Sequence, residues 1–447
     1  MLALAVYLAV VAAVAWRGRT RTELEYLLAG RRLTTPAFVA TLVATWYGGV
    51  LGVGEFSFRH GLSNWVVFGV PYYLAAVLFA LLLAARARRT QALSIPDQLQ
   101  TTYGAAAGRT GTALVLLMAI PAAYVLMLAE LTGIYTGLTV AAGAVLVTIY
   151  LIATVVLGGF RNVVHANVLQ FVLMFAAFAL VLPAALAHTG GFGGLWSALP
   201  EGHRTWHGNL PAQYLLVWYL IAMQTLVEPT FYQRCYAAAS PAVARRGVLL
   251  SVTFWLVFDF LTTFSGLAAR VLLPELDNPV LAFPALGRAV LPTAANALFA
   301  VGLFATVMST AHSYLFLAGV TIGHDLAPAL RPGADQRRWT AIGLVFAGAA
   351  AVALALSLRS VVQIWHHVGS IVTAALLLPL ALSHAPPRWR YSPGLAATAM
   401  AASAGTAAVW IAVLHLRGAY PLGLEPIIPA LVVSALLWLP RRGSAHP

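Results

Sequence analysis

The stretch ATWYGGVLGVG, Ala44–Gly54, places four glycines within seven residues of an otherwise apolar segment. Each glycine weakens a helix by about 1 kcal/mol relative to alanine. The surrounding segment is long enough to cross a bilayer, and backbone groups freed inside lipid are tolerated only where they line a buried cavity. The stretch therefore predicts a transmembrane helix broken at membrane depth, with a binding site for an ion or a solute at the break.

Composition places the chain among membrane proteins. Of its 447 residues, 61% are hydrophobic and 9% are charged, and the mean hydropathy is +0.85. Apolar runs of about 20 residues, the length that spans a bilayer as a helix, recur along the chain. All 26 basic residues are arginine, and they cluster in the short segments between these runs. This distribution is typical of topology signals, so we expect lipid and not nucleic acid around the protein.

The apolar runs predict an all-α polytopic membrane protein with about thirteen transmembrane helices. An odd number of spans puts the two termini on opposite sides of the membrane. The predicted spans, with boundaries good to about 2–4 residues, are 2–16, 35–59, 64–86, 108–136, 138–157, 163–187, 211–235, 245–272, 294–324, 338–358, 360–384, 393–415 and 424–440.

The arginines also predict the orientation. The first apolar run has no positive residue before it and is followed by Arg17, Arg19 and Arg21, the reverse of a cleaved signal peptide. With the N-terminus outside, the inside segments hold 20 arginines and the outside segments hold six. Positive charge favours cytoplasmic loops. We therefore expect a multi-pass protein of the plasma (inner) membrane with its N-terminus outside and its C-terminus in the cytoplasm.

Two helix breaks divide the spans into a five-plus-five inverted repeat. The first helix of one half carries the glycine-rich break, and the first helix of the other carries Glu228–Pro229, where proline removes a helical hydrogen bond. Breaks in corresponding helices indicate a transporter with its site at the midplane. The expected units are 1–34, a first accessory helix and cytoplasmic loop; 35–188, the first five-helix repeat; 189–384, the second repeat with its preceding loop; and 385–447, two C-terminal accessory helices.

Four carboxylates fall inside the predicted spans at least four residues from either span end: Glu55, Glu130, Glu228 and Asp259. An ionised carboxylate at membrane depth is costly unless it is paired, solvated or protonated, so such residues are functional candidates. Glu228 stands beside a helix break and is expected to line the solute pathway. Asp259 lies in mid-span and is either a pathway group or a structural hydrogen-bond acceptor. Glu55 lies near the outer surface, where it can reach water.

Ser309 and Thr310 are adjacent hydroxyls in an apolar span. Together with the free carbonyls of a broken helix, two hydroxyl oxygens form a suitable ligand set for a small hard cation. The alternative is that both hydroxyls bond to their own helix backbone, as Ser and Thr often do in transmembrane helices. Spacing alone leaves both interpretations open.

No sequence motif for enzyme chemistry is present. The chain has no HExxH, paired CxxC, Walker loop or Gly-x-Ser-x-Gly motif, and its single cysteine excludes an internal disulfide. Twelve histidines are scattered without a metal-ligand spacing. We expect no catalytic residues and no organic cofactor.

Seven motifs, in order along nearly the whole chain, resemble those of the sodium:solute symporter family, whose members transport proline, pantothenate, sugars, sialic acid and other small solutes. The motifs are EYLLAGRRL (25–33), ATWYGG (44–49), RHGL (59–62), SIPDQLQTTYG (94–104), VVLGGFRNVVHANVLQ (155–170), EPTFYQRCYAAAS (228–240) and ATVMSTAHS (305–313). The resemblance implies a LeuT-type fold with one extra span before the ten-helix inverted repeat, and sodium as the coupling ion.

The resemblance also implies where sodium and solute bind. Sodium would lie where the second and ninth spans cross, held by the carbonyls of Ala44, Tyr47 and Thr306 and the hydroxyls of Ser309 and Thr310. The solute would lie against the broken second span. The expected solute-binding residues, from the resemblance and the intramembrane carboxylates together, are Trp46, Leu51, Glu228, Trp255 and Asp259.

Three positions depart from the family pattern. Asn167 and His312 stand where many relatives carry aspartate near the sodium site. Losing two negative charges there should weaken cation binding through the loss of Coulomb attraction. Trp255 stands where the sugar-transporting branch carries lysine, so a sugar site of that pattern is not expected.

The sequence therefore predicts a secondary-active transporter that couples sodium to a small polar organic solute, such as an amino acid or a small carboxylate. One alternative keeps the fold but couples solute to protons through Glu228, Asp259 or His312, or is uncoupled. Another is a transporter-like membrane sensor, for which the seven residues after Pro440 leave no room for an output domain. A haem-binding redox protein would need paired histidines, which the scattered histidines do not offer.

Overall fold

The computed structural model describes residues 2–18, 20, 22–358 and 361–438, and these form helices joined by short turns. Arg19, Arg21, Arg359, Arg441 and Arg442, which entered the arginine count, lie outside the described residues. The α-helices are α1 (Leu2–Arg17), α2 (Glu23–Leu28), α3 (Thr35–Trp46), α4 (Val50–His60), α5 (Val70–Phe79), α6 (Ala85–Arg89), α7 (Ile95–Tyr103), α8 (Ala105–Ala119), α9 (Ala122–Thr136), α10 (Val140–Val155), α11 (Gly159–Thr189), α12 (Gly191–Ala198), α13 (Glu201–Arg204), α14 (Ala212–Ala222), α15 (Pro229–Ala237), α16 (Pro241–Leu272), α17 (Ala282–Val290), α18 (Thr293–Val320), α19 (Ala327–Leu330), α20 (Gln336–Leu358), α21 (Val361–Ser383), α22 (Pro393–Arg417) and α23 (Ile427–Trp438).

The predicted all-helical membrane fold is confirmed. Nine segments of the described chain are helical, long and apolar enough to cross a bilayer, namely Thr35–His60, Trp65–Arg89, Ala105–Thr136, Gly159–Thr189, Pro241–Leu272, Thr293–Leu330, Gln336–Leu358, Val361–Ser383 and Pro387–Arg417. Shorter apolar helices occupy the places of three other predicted spans, Leu2–Arg17, Val140–Val155 and Ile427–Trp438. The exact count of thirteen spans and the orientation of the termini stay predictions.

The glycine-rich stretch breaks its helix as expected. Helix α3 ends at Trp46, a short 3-10 turn covers Tyr47–Gly49, and α4 begins at Val50. The glycines are also needed for close packing against neighbouring helices: a Cβ built on Gly49 would lie 2.2 Å from the Trp365 ring on α21. This contact lets the turn approach α21 more closely than any residue with a side chain would allow.

The second break lies between α14 and α15. A 3-10 turn, Met223–Leu226, follows α14, and Glu228 then takes an extended conformation (φ −67°, ψ 114°) before Pro229 starts α15. Proline at the first helical position has no N–H to satisfy, and the residue before a proline is pushed out of the helical region. The dipeptide Glu228–Pro229 therefore sets both the end of the break and the start of the new helix.

The two broken segments meet at one end. Leu33, just before α3, and Ala238, just after α15, form an isolated parallel β-bridge. The Leu33 N–H donates to the Ala237 carbonyl at 3.1 Å, and the Ala239 N–H donates to the Leu33 carbonyl at 3.0 Å. Helices α3 and α4 pack against α16, while α3 also packs against α11 and α18. The breaks are thus enclosed by long helices on several sides.

Two further predicted features differ in detail. The span expected over 108–136 is two helices, because Ile120 is extended (ψ 117°) before Pro121. The short interfacial segment expected over 93–103 is α7, whose N-cap Ser94 accepts a hydrogen bond from the Asp97 N–H at 3.0 Å.

Candidate functional site

A cavity of about 110 Å³ opens beside the first helix break. Seven separate parts of the chain contribute its walls. The lining is mostly aromatic, with eight rings, one amide, one carboxylate and no arginine or histidine among the described residues. The lining residues are Trp46, Tyr47, Gly49, Val53, Phe68, Tyr72, Tyr124, Trp218, Ile221, Gln224, Asp259, Tyr314 and Trp365.

The rings of the cavity pack against one another in small groups. Trp46 meets Tyr72 edge-on with 5.6 Å between ring centroids. Phe68 meets Trp218 at 4.7 Å, and Tyr124 lies 5.2 Å from Tyr314. Edge-to-face and tilted contacts of this length are favourable beyond the area they bury, so the walls are held in fixed positions.

Asp259 is the acidic residue of the cavity wall. Its side chain is 3% exposed, and its two carboxylate oxygens accept hydrogen bonds from the hydroxyls of Tyr47 and Tyr73. The Tyr73 hydroxyl in turn accepts from the Trp65 indole at 3.1 Å. The salt bridges of the described residues join other groups, so Asp259 has acceptor contacts but no basic partner there. The geometry fits both interpretations of Asp259. It lines the cavity, as a pathway group would, and it accepts two hydrogen bonds, as a structural acceptor would.

Glu228 lies behind the cavity wall. It is the N-cap of α15: its Oε1 accepts from the Thr230 N–H at 3.3 Å and from the Thr230 hydroxyl at 3.1 Å. The Gln224 amide, which lines the cavity, donates to Oε2 at 3.5 Å. Glu228 is fully buried and is not among the described lining residues. Its carboxylate therefore satisfies the start of α15 and touches the cavity through Gln224.

The adjacent hydroxyls of α18 reach the carbonyls at the end of α3. The Ser309 hydroxyl lies 2.6 Å from the Ala44 carbonyl and 2.7 Å from the Thr306 carbonyl. The Thr310 hydroxyl donates to the Thr45 carbonyl at 2.5 Å. The Ala44 and Thr45 carbonyls belong to the last turn of α3 and lack helical partners because α3 ends at Trp46. The interpretation in which both hydroxyls serve only their own helix is therefore wrong.

This group of oxygens fits a small hard cation. It brings together four of the five expected sodium ligands, the Ala44 and Thr306 carbonyls and the two hydroxyls, and adds the Thr45 carbonyl. The remaining expected ligand, Tyr47, begins the turn that follows α3 and packs on α18. Neutral oxygens of this kind are the donors that hard cations take.

A buried arginine adjoins the oxygen group. Arg234, on α15, is fully buried, and its guanidinium donates to the Thr45 hydroxyl at 2.7 Å and the Ser313 hydroxyl at 2.9 Å. The Asn167 amide donates to the Thr45 hydroxyl at 2.8 Å and to Ser313 at 3.3 Å. The Thr45 carbonyl therefore belongs to the oxygen group, whereas the Thr45 hydroxyl accepts a hydrogen bond from Arg234. Asn167 stands in the position where a carboxylate would neutralise Arg234.

His312 does not face this group. Its Nε2 lies 2.9 Å from the Thr154 hydroxyl on α10, and the residue lines a small space together with Asn162 and Val11. Residues two positions apart in a helix do not share a face, so Thr310 and His312 lie on different sides of α18. The expectation that His312 removes a charge from the sodium site is therefore wrong, whereas Asn167 lies beside the site as expected.

The solute-binding residues expected from the sequence divide into two sets. Trp46 and Asp259 line the cavity. Leu51 is fully buried in α4, and Trp255 is 2% exposed behind Trp46, with 6.1 Å between the two ring centroids. Together with Glu228, these two residues support the wall and do not form its surface.

Most of the cavity surface was missed from the sequence. Its aromatic residues lie on helices far apart in the chain, and isolated aromatics in apolar spans give no signal of a shared wall. Arg234 is not identified from the sequence either, because an arginine at the end of the predicted span 211–235 is interpreted as one of the inside topology arginines. The polar run YQRC within an otherwise apolar segment, next to the second break, is the signal that could have marked it.

The model of the sodium:solute symporter family matches residues 26–384. The chain is 24% identical over 388 residues to the high-affinity choline transporter 1 of Caenorhabditis elegans, covering 79% of this chain and 65% of the transporter. It is 25% identical over 440 residues to the sodium/pantothenate symporter of Escherichia coli (strain K12), covering 93% of this chain and 89% of the symporter.

A solved structure shares the fold. The substrate-bound outward-open state of a Na⁺-coupled sialic acid symporter superimposes with a TM-score of 0.81 at 16% sequence identity, covering 98% of this chain and 96% of that one. At this identity the likeness concerns the fold alone.

Proposed function

The chain belongs to the sodium:solute symporter family, and we propose that it uses an inward sodium gradient to carry a small polar organic solute across the plasma membrane. It is a transporter and not an enzyme. The observation that carries the proposal is the position of the Ser309 and Thr310 hydroxyls against the Ala44 and Thr45 carbonyls. The same helix break supplies Trp46, Tyr47 and Gly49 to the cavity wall.

The proposed coupling follows from this shared break. Sodium, which is cargo here, would replace the hydroxyl protons as the partner of the carbonyls, turning the hydroxyl oxygens toward the ion. The turn at Tyr47–Gly49 would then be fixed, together with the residues that it contributes to the cavity. A solute that needs this wall in place binds more tightly when sodium is present, and the same coupling energy makes sodium bind more tightly with solute.

Transport in this proposal is alternating access between the repeats 35–188 and 189–384, with 1–34 and 385–447 as flanking helices. The N-terminus lies outside and the C-terminus in the cytoplasm. The solutes in the names of the two relatives, choline and pantothenate, differ in charge. The class of solute must therefore be read from the cavity of this chain itself.

Proton coupling is the second candidate, and Asp259 is the observation that favours it. A buried carboxylate on the cavity wall, without a basic partner among the described residues, can carry a proton through the membrane. Glu228 is committed to the N-cap of α15, and His312 faces Thr154. Of the three groups considered from the sequence, Asp259 alone lines the cavity.

A sodium titration of thermal stability tests the proposal. In detergent, the purified full chain is heated at rising sodium concentrations with potassium keeping the ionic strength constant. An ion that binds only the folded state stabilises it by about 2.7 kcal/mol when the free ion concentration is 100 times its Kd. We expect a saturable, sodium-specific rise in Tm that disappears in the double variant Ser309→Ala/Thr310→Ala.

The matched control is Thr398→Ala, because the Thr398 hydroxyl bonds to the Gly394 carbonyl of its own helix. It should keep the full sodium response. A double variant that folds and still responds to sodium like the parent would show that the ion binds elsewhere. A parent chain with no sodium response, but with solute uptake driven by a pH gradient, would favour proton coupling through Asp259.

A further inference from the structure

The cavity holds one carboxylate without a counter-charge. Asp259 is the ionisable acid of the described lining, and no arginine or histidine lines the same space. Keeping a carboxylate ionised at membrane depth is costly unless a cation compensates it. Among the described residues, the hydrogen-bond partners of the Asp259 carboxylate are the hydroxyls of Tyr47 and Tyr73. When Asp259 is ionised, the compensating charge therefore has to come from what enters the cavity.

The rest of the wall attracts cations as well. Five of the lining rings come from different helices: Trp46, Tyr72, Tyr124, Trp218 and Trp365. The face of an aromatic ring carries partial negative charge, and a cation within about 6 Å of the ring centroid gains roughly 0.5–2 kcal/mol for each favourable contact. Several such rings around one carboxylate form an aromatic cage of the type that recognises alkylated ammonium groups.

We propose that the solute is a small organic cation with an alkylated ammonium group, held with its charge between Asp259 and the aromatic walls formed by Trp46, Tyr72 and Tyr124. This inference rests on the proposed function, since it names the solute class of the same cavity. Both oxygens of Asp259 already accept a tyrosine hydroxyl. These two bonds use about half of the acceptor positions of a carboxylate. An ammonium whose hydrogens are replaced by methyl groups needs only the charge of Asp259 and none of its remaining acceptor positions.

Other solute classes fit this cavity less well. An anion would meet Asp259 with no positive side chain among the described lining residues to offset the repulsion. A polyol would need several directed hydrogen bonds, whereas the described lining has one amide, Gln224, which is already bonded to Glu228. A second inorganic cation would need a cage of oxygens, and most of this surface is ring carbon.

Matched ligands separate charge from shape. Binding of choline, tetramethylammonium and 3,3-dimethyl-1-butanol, the neutral carbon isostere of choline, is measured by isothermal titration calorimetry on the full chain in detergent with fixed sodium. We expect choline to bind at least about tenfold more tightly than the neutral isostere, because charge and cation–π contacts are lost together. Tetramethylammonium should compete with choline.

Two substitutions locate the site. Asp259→Asn should weaken choline binding by about tenfold or more and leave the weak binding of the neutral isostere unchanged. Its control, Glu275→Gln, removes an exposed carboxylate from an outer loop and should change neither. Tyr72→Phe keeps the ring and should keep choline affinity, whereas Tyr72→Leu removes the ring and should lower it. A Tm within a few degrees of the parent confirms that each variant is folded.

Uptake into proteoliposomes separates this inference from the proposed function. Sodium-driven uptake is measured for choline, for anionic pantothenate and for neutral myo-inositol. Choline binding without sodium-driven uptake would support the cation site and contradict sodium symport. Sodium-driven uptake of pantothenate or myo-inositol, with no binding of either ammonium probe, would overturn the cation site and leave symport standing. Equal affinity for choline and its neutral isostere, or choline affinity unaffected by Asp259→Asn, would also overturn it.

Discussion

Gly48 lies so close to Thr310 that a Cβ built on the glycine would be 2.1 Å from the Thr310 hydroxyl oxygen and 2.3 Å from its Cβ. Real Cβ atoms do not approach other atoms so closely, so any side chain at position 48 must displace the turn Tyr47–Gly49 or α18. The glycine therefore sets the spacing between the carbonyls of the first break and the hydroxyls of α18.

Gly48→Ala should remove the sodium response more than it removes stability. The added methyl group would force the Thr310 hydroxyl away from the Thr45 carbonyl, and overpacking of this kind costs about 1–3 kcal/mol. We expect the sodium-dependent rise in Tm to be lost or reduced by at least half. The matched control is Gly405→Ala in α22, where a Cβ meets nothing within 4 Å. There the helix should gain up to about 1 kcal/mol. A normal sodium response in Gly48→Ala would mean that this contact does not shape the ion site.

Asn167→Asp should strengthen sodium binding. A carboxylate at this position would share the Thr45 and Ser313 hydroxyls with the Arg234 guanidinium and would neutralise a buried charge beside the ion site. We expect the sodium Kd to fall by about tenfold, or about 1.4 kcal/mol. The measurement is the sodium dependence of Tm.

The control for this variant is Asn64→Asp, a buried asparagine whose amide donates to the Thr263 hydroxyl at 2.9 Å. It should not improve sodium affinity. If Asn167→Asp raises Tm equally with and without sodium, Asn167 serves Arg234 alone and has no influence on the ion.

His384 should make stability depend on pH. It lies just beyond α21, where burial and the nearby charges of Arg86 and Arg390 lower the pKa of its imidazole to about 4. Its Nε2 lies 2.8 Å from the Gln98 amide nitrogen. Since the unfolded chain has an ordinary histidine pKa of about 6.5, the unfolded state binds the proton first as pH falls. Stability is then complete above about pH 6.5 and is lost toward pH 4, by about 3 kcal/mol.

Thermal unfolding between pH 7 and pH 4 checks this expectation. His384→Gln should flatten the fall in Tm over that window, whereas His188→Gln, at an exposed histidine, should leave the fall unchanged. A variant with the parent's slope would place the pH dependence elsewhere.

The breaks could be predicted from the sequence because their causes are local. Glycine and proline act on the backbone within a few residues, so the stretches ATWYGGVLGVG and Glu228–Pro229 each predict where a helix ends. The adjacent hydroxyls of Ser309 and Thr310 could be predicted as sodium ligands only with the family resemblance, which implies that their helix crosses the first break. The structure adds that their partners are the last carbonyls of α3.

The cavity could not be predicted, because its surface depends on how distant helices pack. Tyr72, Tyr124 and Trp365 are ordinary aromatic residues of apolar spans until the fold brings them to one space. Glu228, in contrast, was expected to line the solute pathway but lies behind the cavity wall. A carboxylate beside a break was expected to face the solute, but the N-terminus of α15 offers the Thr230 N–H as a nearer partner. The position of the Glu228 carboxylate is therefore set by the capping of α15 and not by the cavity.

The aromatic wall has a practical consequence for anyone following ligand arrival. Three of the twelve tryptophans of the chain, Trp46, Trp218 and Trp365, line the cavity. A positively charged ligand in contact with these indoles would change the wavelength and intensity of their fluorescence emission. The protein therefore carries a built-in optical reporter of occupancy, and the unlabelled chain can be used to time the entry and exit of its cargo.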